Sequence, residues 1–246
     1  MYGYLHKGFK SNPDLQKNSN TMMLPNGEIT ISSMTPADLR NLIQTGEGKY
    51  LEFKKTTPST GKIAREIAAF ANTKGGTILV GVDDHKNITG VSAYFEEEYV
   101  LHKAAFEYCV PAVEIEIELI HSGSLDVMVV RVPEAEKKPV YNKSKKKRLV
   151  FVRRDDKSVL ASDEQAEILK NRYSDEGVTF EYGEREQMLF RYLNEYGEIT
   201  VLKYSQLINV TTYRASKILV NLVSAGVLKL FNRSETDYYT FSHTTK

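Results

Sequence analysis

Between Glu47 and Gly90 the chain reads EGKYLEFKKTTPSTGKIAREIAAFANTKGGTILVGVDDHKNITG, and this order of residue types leaves little freedom of fold. Residues 50–54 alternate, with Leu51 and Phe53 on one face and Glu52 and Lys54 on the other, as a strand requires. Residues 56–61 make a turn. Residues 62–73 predict a helix with Ile63, Ile67 and Phe70 inward, and Ala64, Ala68, Ala69 and Ala71 permit close approach. Lys74-Gly75-Gly76 stops it, since glycine tolerates the left-handed geometry of a helix end. The unbroken apolar run 77–82 reads as a central strand. Residues 83–87 form a polar turn into a short strand at 88–91. So ordered, Glu47, Glu52, Lys54, Asp83 and Asp84 are expected to converge on one surface.

The flanking segments extend this into a mixed α+β domain over residues 31–173. Thr35-Pro36 opens a helix whose buried stripe is Leu39, Leu42 and Ile43. Residues 96–109 read as a helix. Residues 114–120 alternate carboxylates with apolar side chains, and Ser122-Gly123-Ser124 turns them into a partner strand at 125–132. A basic loop leads to a strand at 148–153, and a helix at 164–171 closes the domain. Residues 1–30 are a polar arm, and 174–184 carry two glycines and read as a linker. Residues 185–246 change character. Helices near 186–196, 204–208 and from 211 precede strands at 227–231 and 238–241, the order of a small winged-helix domain.

Composition excludes several classes. With 41% hydrophobic and 26% charged residues the chain has ordinary globular values, and no apolar run is long enough to span a bilayer. The N-terminus lacks the apolar stretch of a secretory signal, so a cytoplasmic protein with no membrane partner is expected. Cys109 is the sole cysteine, which excludes an intrachain disulfide and a cysteine-rich zinc site. The five histidines show no metal-ligand spacing. Gly75-Gly76 lacks the following Lys-Ser/Thr of a phosphate-binding loop, so no nucleotide cofactor is expected.

Net charge is only +1, so the distribution of charge matters more than its sum. Lys143, Lys145, Lys146, Lys147, Arg148, Arg153 and Arg154 concentrate positive charge in one segment, suited to phosphate contacts. Lys54 suits either a phosphate or a salt bridge to Glu52 or Asp84. In the winged helix, Thr211, Thr212, Tyr213, Arg214 and Lys217 open the presumptive recognition helix, and Arg233 sits at the wing tip.

Leu51-Glu52-Phe53-Lys54, Ala69-Phe70-Ala71-Asn72-Thr73, Gly75-Gly76, Gly81-Val82-Asp83-Asp84 and Phe151-Val152-Arg153 followed by Ala161-Ser162 together resemble the Schlafen AlbA_2 family, also described as an AlbA-like DNA-binding domain. The resemblance spans roughly residues 35–172. It implies two roles. Bacterial members that place the domain before a winged helix are taken as transcriptional regulators. Vertebrate Schlafens form a two-lobed clamp on tRNA-like substrates and cleave RNA with two glutamates, an aspartate and a divalent metal. Glu47 and Glu52 have the implied five-residue spacing, and Asp84, then Asp83, matches the aspartate. The expectation is a DNA-binding regulator, DNA before RNA, acting as a homodimer with no cofactor. The alternative is an endoribonuclease holding Mg²⁺ or Mn²⁺ on Glu47, Glu52 and Asp84. A third reading is an interaction scaffold without nucleic acid.

Overall fold

The computed structural model describes residues 22–24, 27–29, 34–144, 147–174, 179–180, 182–233 and 236–242. Most of the expected polar arm, and Lys145 and Lys146, lie outside these residues. Two short strands, β1 (Met22–Leu24) and β2 (Gly27–Ile29), pair antiparallel. Helix α1 (Pro36–Thr45) begins as its residues dictate. The Thr35 hydroxyl accepts from the Asp38 amide, the Asp38 carboxylate accepts from the Thr35 amide, and proline holds the first position.

Strand β3 (Leu51–Lys54) lies parallel to β4 (Gly76–Val80), with α2 (Thr60–Asn72) as the crossover between them. The double glycine at the end of α2 is a packing requirement. A Cβ on Gly75 would lie 2.6 Å from the Val132 carbonyl oxygen, and one on Gly76 2.3 Å from the Phe70 ring. The short strand expected at 88–91 is reduced to a single bridge between Val82 and Ile88. Helix α3 (Tyr94–Lys103) passes into a π-helical turn, Ala104–Tyr108, and then into β5 (Cys109–Val110). Strands β6 (Glu116–Ser122) and β7 (Leu125–Val132) form the expected hairpin and complete a sheet of order β3-β4-β7-β6.

The basic segment lies on a hairpin. Its strands are β8 (Tyr141–Ser144) and β9 (Lys147–Arg154), and β10 (Lys157–Leu160) adds a strand that the sequence did not announce. The second sheet has order β10-β9-β8-β5. The result is layered. Helix α1 covers one face of the first sheet through Leu39, Ile43, Phe53, Leu79 and Val129. Helix α2 fills the other face with Ile63, Ile67 and Phe70 against Ile78, Met128 and Val130. The second sheet then packs on α2 through β8 and β9. Because α2 is enclosed on both sides, nine of its residues are buried, including Glu66 and Asn72.

Asn72 fastens the layers. Its Nδ2 donates to the carbonyls of Val140 at 2.8 Å and Phe151 at 2.9 Å, and its Oδ1 accepts from the Val140 amide at 2.6 Å.

Helix α4 (Asp163–Arg172) follows, capped by Ser162. Helices α5 (Glu184–Tyr196), α6 (Val201–Leu207) and α7 (Thr212–Ser224) precede an antiparallel hairpin of β11 (Leu228–Arg233) and β12 (Thr236–Phe241). Three helices and a hairpin around Leu189, Leu193, Tyr204, Leu219 and Tyr239 are consistent with the expected winged helix. By sequence α4 belongs with the preceding domain, yet it packs on α7 and its Ile168 joins this C-terminal core. Among the described residues no helix is long and apolar enough to cross a membrane.

Asn72→Ala removes three hydrogen bonds and leaves buried backbone groups unpaired. Its expected cost is about 2–4 kcal/mol in urea unfolding. A loss below about 1 kcal/mol would show that the clasp is dispensable.

Candidate functional site

The residues around Glu52 are organised by one guanidinium. Arg153, near the end of β9, turns inward onto α2 and its side chain is fully buried. It lies over the Phe70 ring, 4.5 Å from the centroid. Its Nη1 donates to Glu52 Oε2 at 2.9 Å, to Ser158 Oγ at 3.2 Å and to Glu66 Oε2 at 3.4 Å. Its Nη2 donates to the Gly48 carbonyl at 2.6 Å. The other Glu52 oxygen takes the Lys54 ammonium, which also donates to the Phe53 carbonyl at 3.0 Å. The other Glu66 oxygen takes Arg65 Nη2 at 2.9 Å, and Ser158 closes the chain by donating to Glu66. Arg153 was expected to contact phosphate; it is instead enclosed by two carboxylates and has no exposed surface to offer a ligand. Of the two roles open to Lys54, the structure shows the salt bridge to Glu52.

The carboxylates do draw near one another. Glu47 Oε1 accepts from the Phe53 amide at 2.8 Å. Burial holds the Glu47 carboxyl above its ordinary pKa, and the charges of Glu52 and Asp84 push the same way, against the Phe53 amide and Lys54. Asp84 is exposed. Asp83 is spent on its own turn, accepting from the amides of His85 at 3.0 Å and Asn87 at 2.8 Å. The bonds from Asn87, opposed by burial and aided by the amide and charge of His85, leave its carboxyl below the usual range. Among the described residues no three His, Cys, Asp or Glu side chains form a group that could hold a metal ion. Glu52 already gives both oxygens to cations, so Glu47, Glu52 and Asp84 as arranged do not fit a divalent ion.

Beside this network lies a cleft of about 380 Å³, walled by β3, the start of α2 and β10. Its floor holds Glu52 and Glu66, with side chains 10% and 7% exposed and already paired. Its cations are Lys54, Lys62, Arg65 and Lys157, against a single further acid, Asp156. Lys62 and Lys157 are exposed, and the Arg65 side chain is 43% exposed. Lys62, Arg65 and Lys157 are not among the candidates that the sequence marks. The available signal was Lys62 and Arg65 three apart on the polar edge of an otherwise apolar helix, where they share a face.

The remaining candidates divide. Arg154 stands opposite Lys157 in the β9–β10 register. Lys143 pairs across the hairpin with Arg148, and Lys147 lies beside them, all exposed. That hairpin end is about 23 Å along β9 from Arg154, at the rise of a strand. At the C-terminal unit, Thr212, Tyr213 and Arg214 are exposed on the first turn of α7, with Thr211 capping it. Lys217 is bound to Glu167 of α4, and neighbouring Ser216 donates to Glu164 at 2.8 Å. Arg233 is held bidentate by Glu198, both bonds 3.0 Å, and lies over the Phe231 and Tyr238 rings.

Residues 47–162 match the family model described as Schlafen, AlbA_2. The match ends at Ser162, the cap of α4. Among solved structures, the N-terminal domain of a RecG-related protein from Nitrosomonas europaea is similar at 23% identity, covering 53% of this chain and 92% of that one with a TM-score of 0.38. The DIP2311 protein of Corynebacterium diphtheriae is similar at 15% identity, covering 79% of this chain and 34% of that one with a TM-score of 0.40. A comparison with curated proteins found no match.

Arg153→Met keeps the bulk over Phe70 but takes from Glu52 and Glu66 the buried cation they share. The expected loss is about 3–5 kcal/mol in denaturant unfolding at pH 7. A loss under about 1 kcal/mol would mean that the network does not hold the layers together.

Proposed function

We propose that this chain binds nucleic acid by its phosphate backbone, with the cleft between β3, α2 and β10 as the principal seat. The observation that carries the reading is the set Lys62, Arg65 and Lys157 at the mouth of a cleft whose carboxylates are already paired. A phosphate entering there meets cations without facing uncompensated acids, apart from Asp156. The match of residues 47–162 to the Schlafen AlbA_2 model supports the same reading. Arg154 and the exposed Lys143, Lys147 and Arg148 lengthen the positive track along β9. Such contacts supply affinity and salt dependence rather than sequence choice.

Within that reading the ligand is DNA and the role is that of a cytoplasmic regulator, without a cofactor. Thr212, Tyr213 and Arg214 on the opening turn of α7 supply a second contact, where helix N-termini meet base edges and phosphates. Lys217, partly exposed and paired with Glu167, lies one turn further along the helix. Metal-dependent cleavage of RNA by Glu47, Glu52 and Asp84 is the second reading. It rests on the electrostatic coupling at Glu47, and it requires Glu52 to leave Arg153 and Lys54.

The double variant Lys62→Gln/Lys157→Gln tests the seat, measured by duplex DNA binding across a salt series with chelator present. Each lost phosphate contact lowers the slope of log K against log salt by about 0.9, so a fall of about 2 is expected, with weaker binding at low salt. An unchanged slope and affinity would remove the cleft from the footprint. Cleavage of RNA that needs Mg²⁺ or Mn²⁺ and disappears in Glu52→Gln would favour the second reading.

A further inference from the structure

Helix α2 covers one face of the second sheet, and the charges on the other face are arranged at a cost to the fold. Arg153 turns inward onto α2, and successive side chains of a strand point to opposite faces. Arg148, Val150, Val152 and Arg154 of β9 therefore point outward. The register extends that face to the neighbouring strands. Tyr141 stands opposite Val150 and Lys143 opposite Arg148, while Val159 stands opposite Val152 and Lys157 opposite Arg154. The outer face thus has an apolar centre and a pair of cations at each end of β9. Tyr141, Val150, Val152 and Val159 belong to none of the three buried cores, and all but Val150 are partly exposed.

Like charges directly opposite one another on paired strands repel. Both end pairs are of this kind, and among the described residues none of the four cations has an ion-pair partner. Asp155 and Asp156, exposed in the turn after Arg154, temper one end. At the other end Lys147 adds a third cation, and neither β8 nor β9 contains an acid. An anion from outside relieves the repulsion that the fold leaves in place.

Arg148 and Arg154 are separated by about 20 Å at the rise of a strand. A small anion meets one pair only, whereas a chain of phosphates reaches both. The apolar centre selects the form of that chain. A duplex keeps its base faces stacked inside and presents sugar and phosphate. An unpaired strand has free base faces, which stack on aromatic rings. Tyr141 lies two residues from Lys143 on the same face, so a ring adjoins a phosphate contact.

We propose that the outer face of the second sheet binds an unpaired nucleic-acid strand along β9, with phosphates at the two cation pairs and a base stacked on Tyr141. This surface deepens the nucleic-acid reading above and rests on it; Lys157 belongs to this face by register and also lines the cleft.

Binding of the full chain to a mixed-sequence single-stranded DNA and to its duplex, with chelator present, tests this. Tyr141→Ala should weaken single-strand binding about tenfold and leave duplex binding unchanged. Tyr141→Phe should keep both, since stacking needs the ring and not the hydroxyl. Lys143 and Arg148 are exposed, so Lys143→Gln/Arg148→Gln probes the face without touching a core. It should lower the single-strand salt slope by about 1.4, at about 0.7 per phosphate contact. Single-strand binding that is absent, or indifferent to these changes, beside intact duplex binding would overturn the proposal and leave the cleft reading standing. A Tyr141→Phe variant as weak as Tyr141→Ala would overturn the stacking. A parent that binds neither form would overturn the nucleic-acid reading itself.

Discussion

The buried contact of Arg153 with Glu52 and Glu66 is the constraint from which the rest of the molecule follows. It joins β9 of one sheet to β3 of the other and to α2 between them, and through Nη2 it reaches the backbone at Gly48. A buried ion pair adds little net stability over a well-packed apolar equivalent, but breaking one side of it is severe. Here Arg153 lies 101 residues from Glu52 and 87 from Glu66, so the pair fixes how the layers meet. With Lys54 and Arg65 outside, three cations surround two carboxylates. The formal surplus is one positive charge, and it lies on the open side of the cleft.

That arrangement bears on two chemistries that the same residues suggest. A glutamate waiting for a metal needs free oxygens aimed at a common point. Glu52 instead spends one oxygen on Arg153 and the other on Lys54. Glu47 is turned to the Phe53 amide, and Asp84 stands in the open. The acids neutralise the cations beneath the cleft, and the remaining cations are presented at its mouth. Phosphate binding is the reading this geometry favours.

Much of this was legible in the residues, and the failures share a cause. Thr35-Pro36 announced α1, the alternation at 51–54 announced β3, and Gly75-Gly76 announced a tight junction. Each depends on local chemistry. Arg153 was read as a surface cation because a sequence displays charge but not the side of the sheet that receives it. Glu66 went unremarked inside an apolar helix, since its partner lies 87 residues away. Strand β10 is a four-residue KSVL segment whose pairing to β9 supplies what its composition does not. Lys217 and Arg233 are paired with Glu167 and Glu198, partners that no local pattern announces, and both stay partly exposed. Burial, as at Arg153, separates a structural cation from one that a ligand can reach.

Amide hydrogen exchange on the parent chain, with and without duplex DNA, is the most direct test of where nucleic acid sits. Exchange reports local opening and is slowed where a ligand covers or steadies the backbone. The account predicts protection concentrated at residues 60–66 and 157–160, the α2 and β10 walls of the cleft, with weaker protection at 212–214. Protection confined to α7, or bound DNA that leaves both cleft walls unchanged, would contradict it.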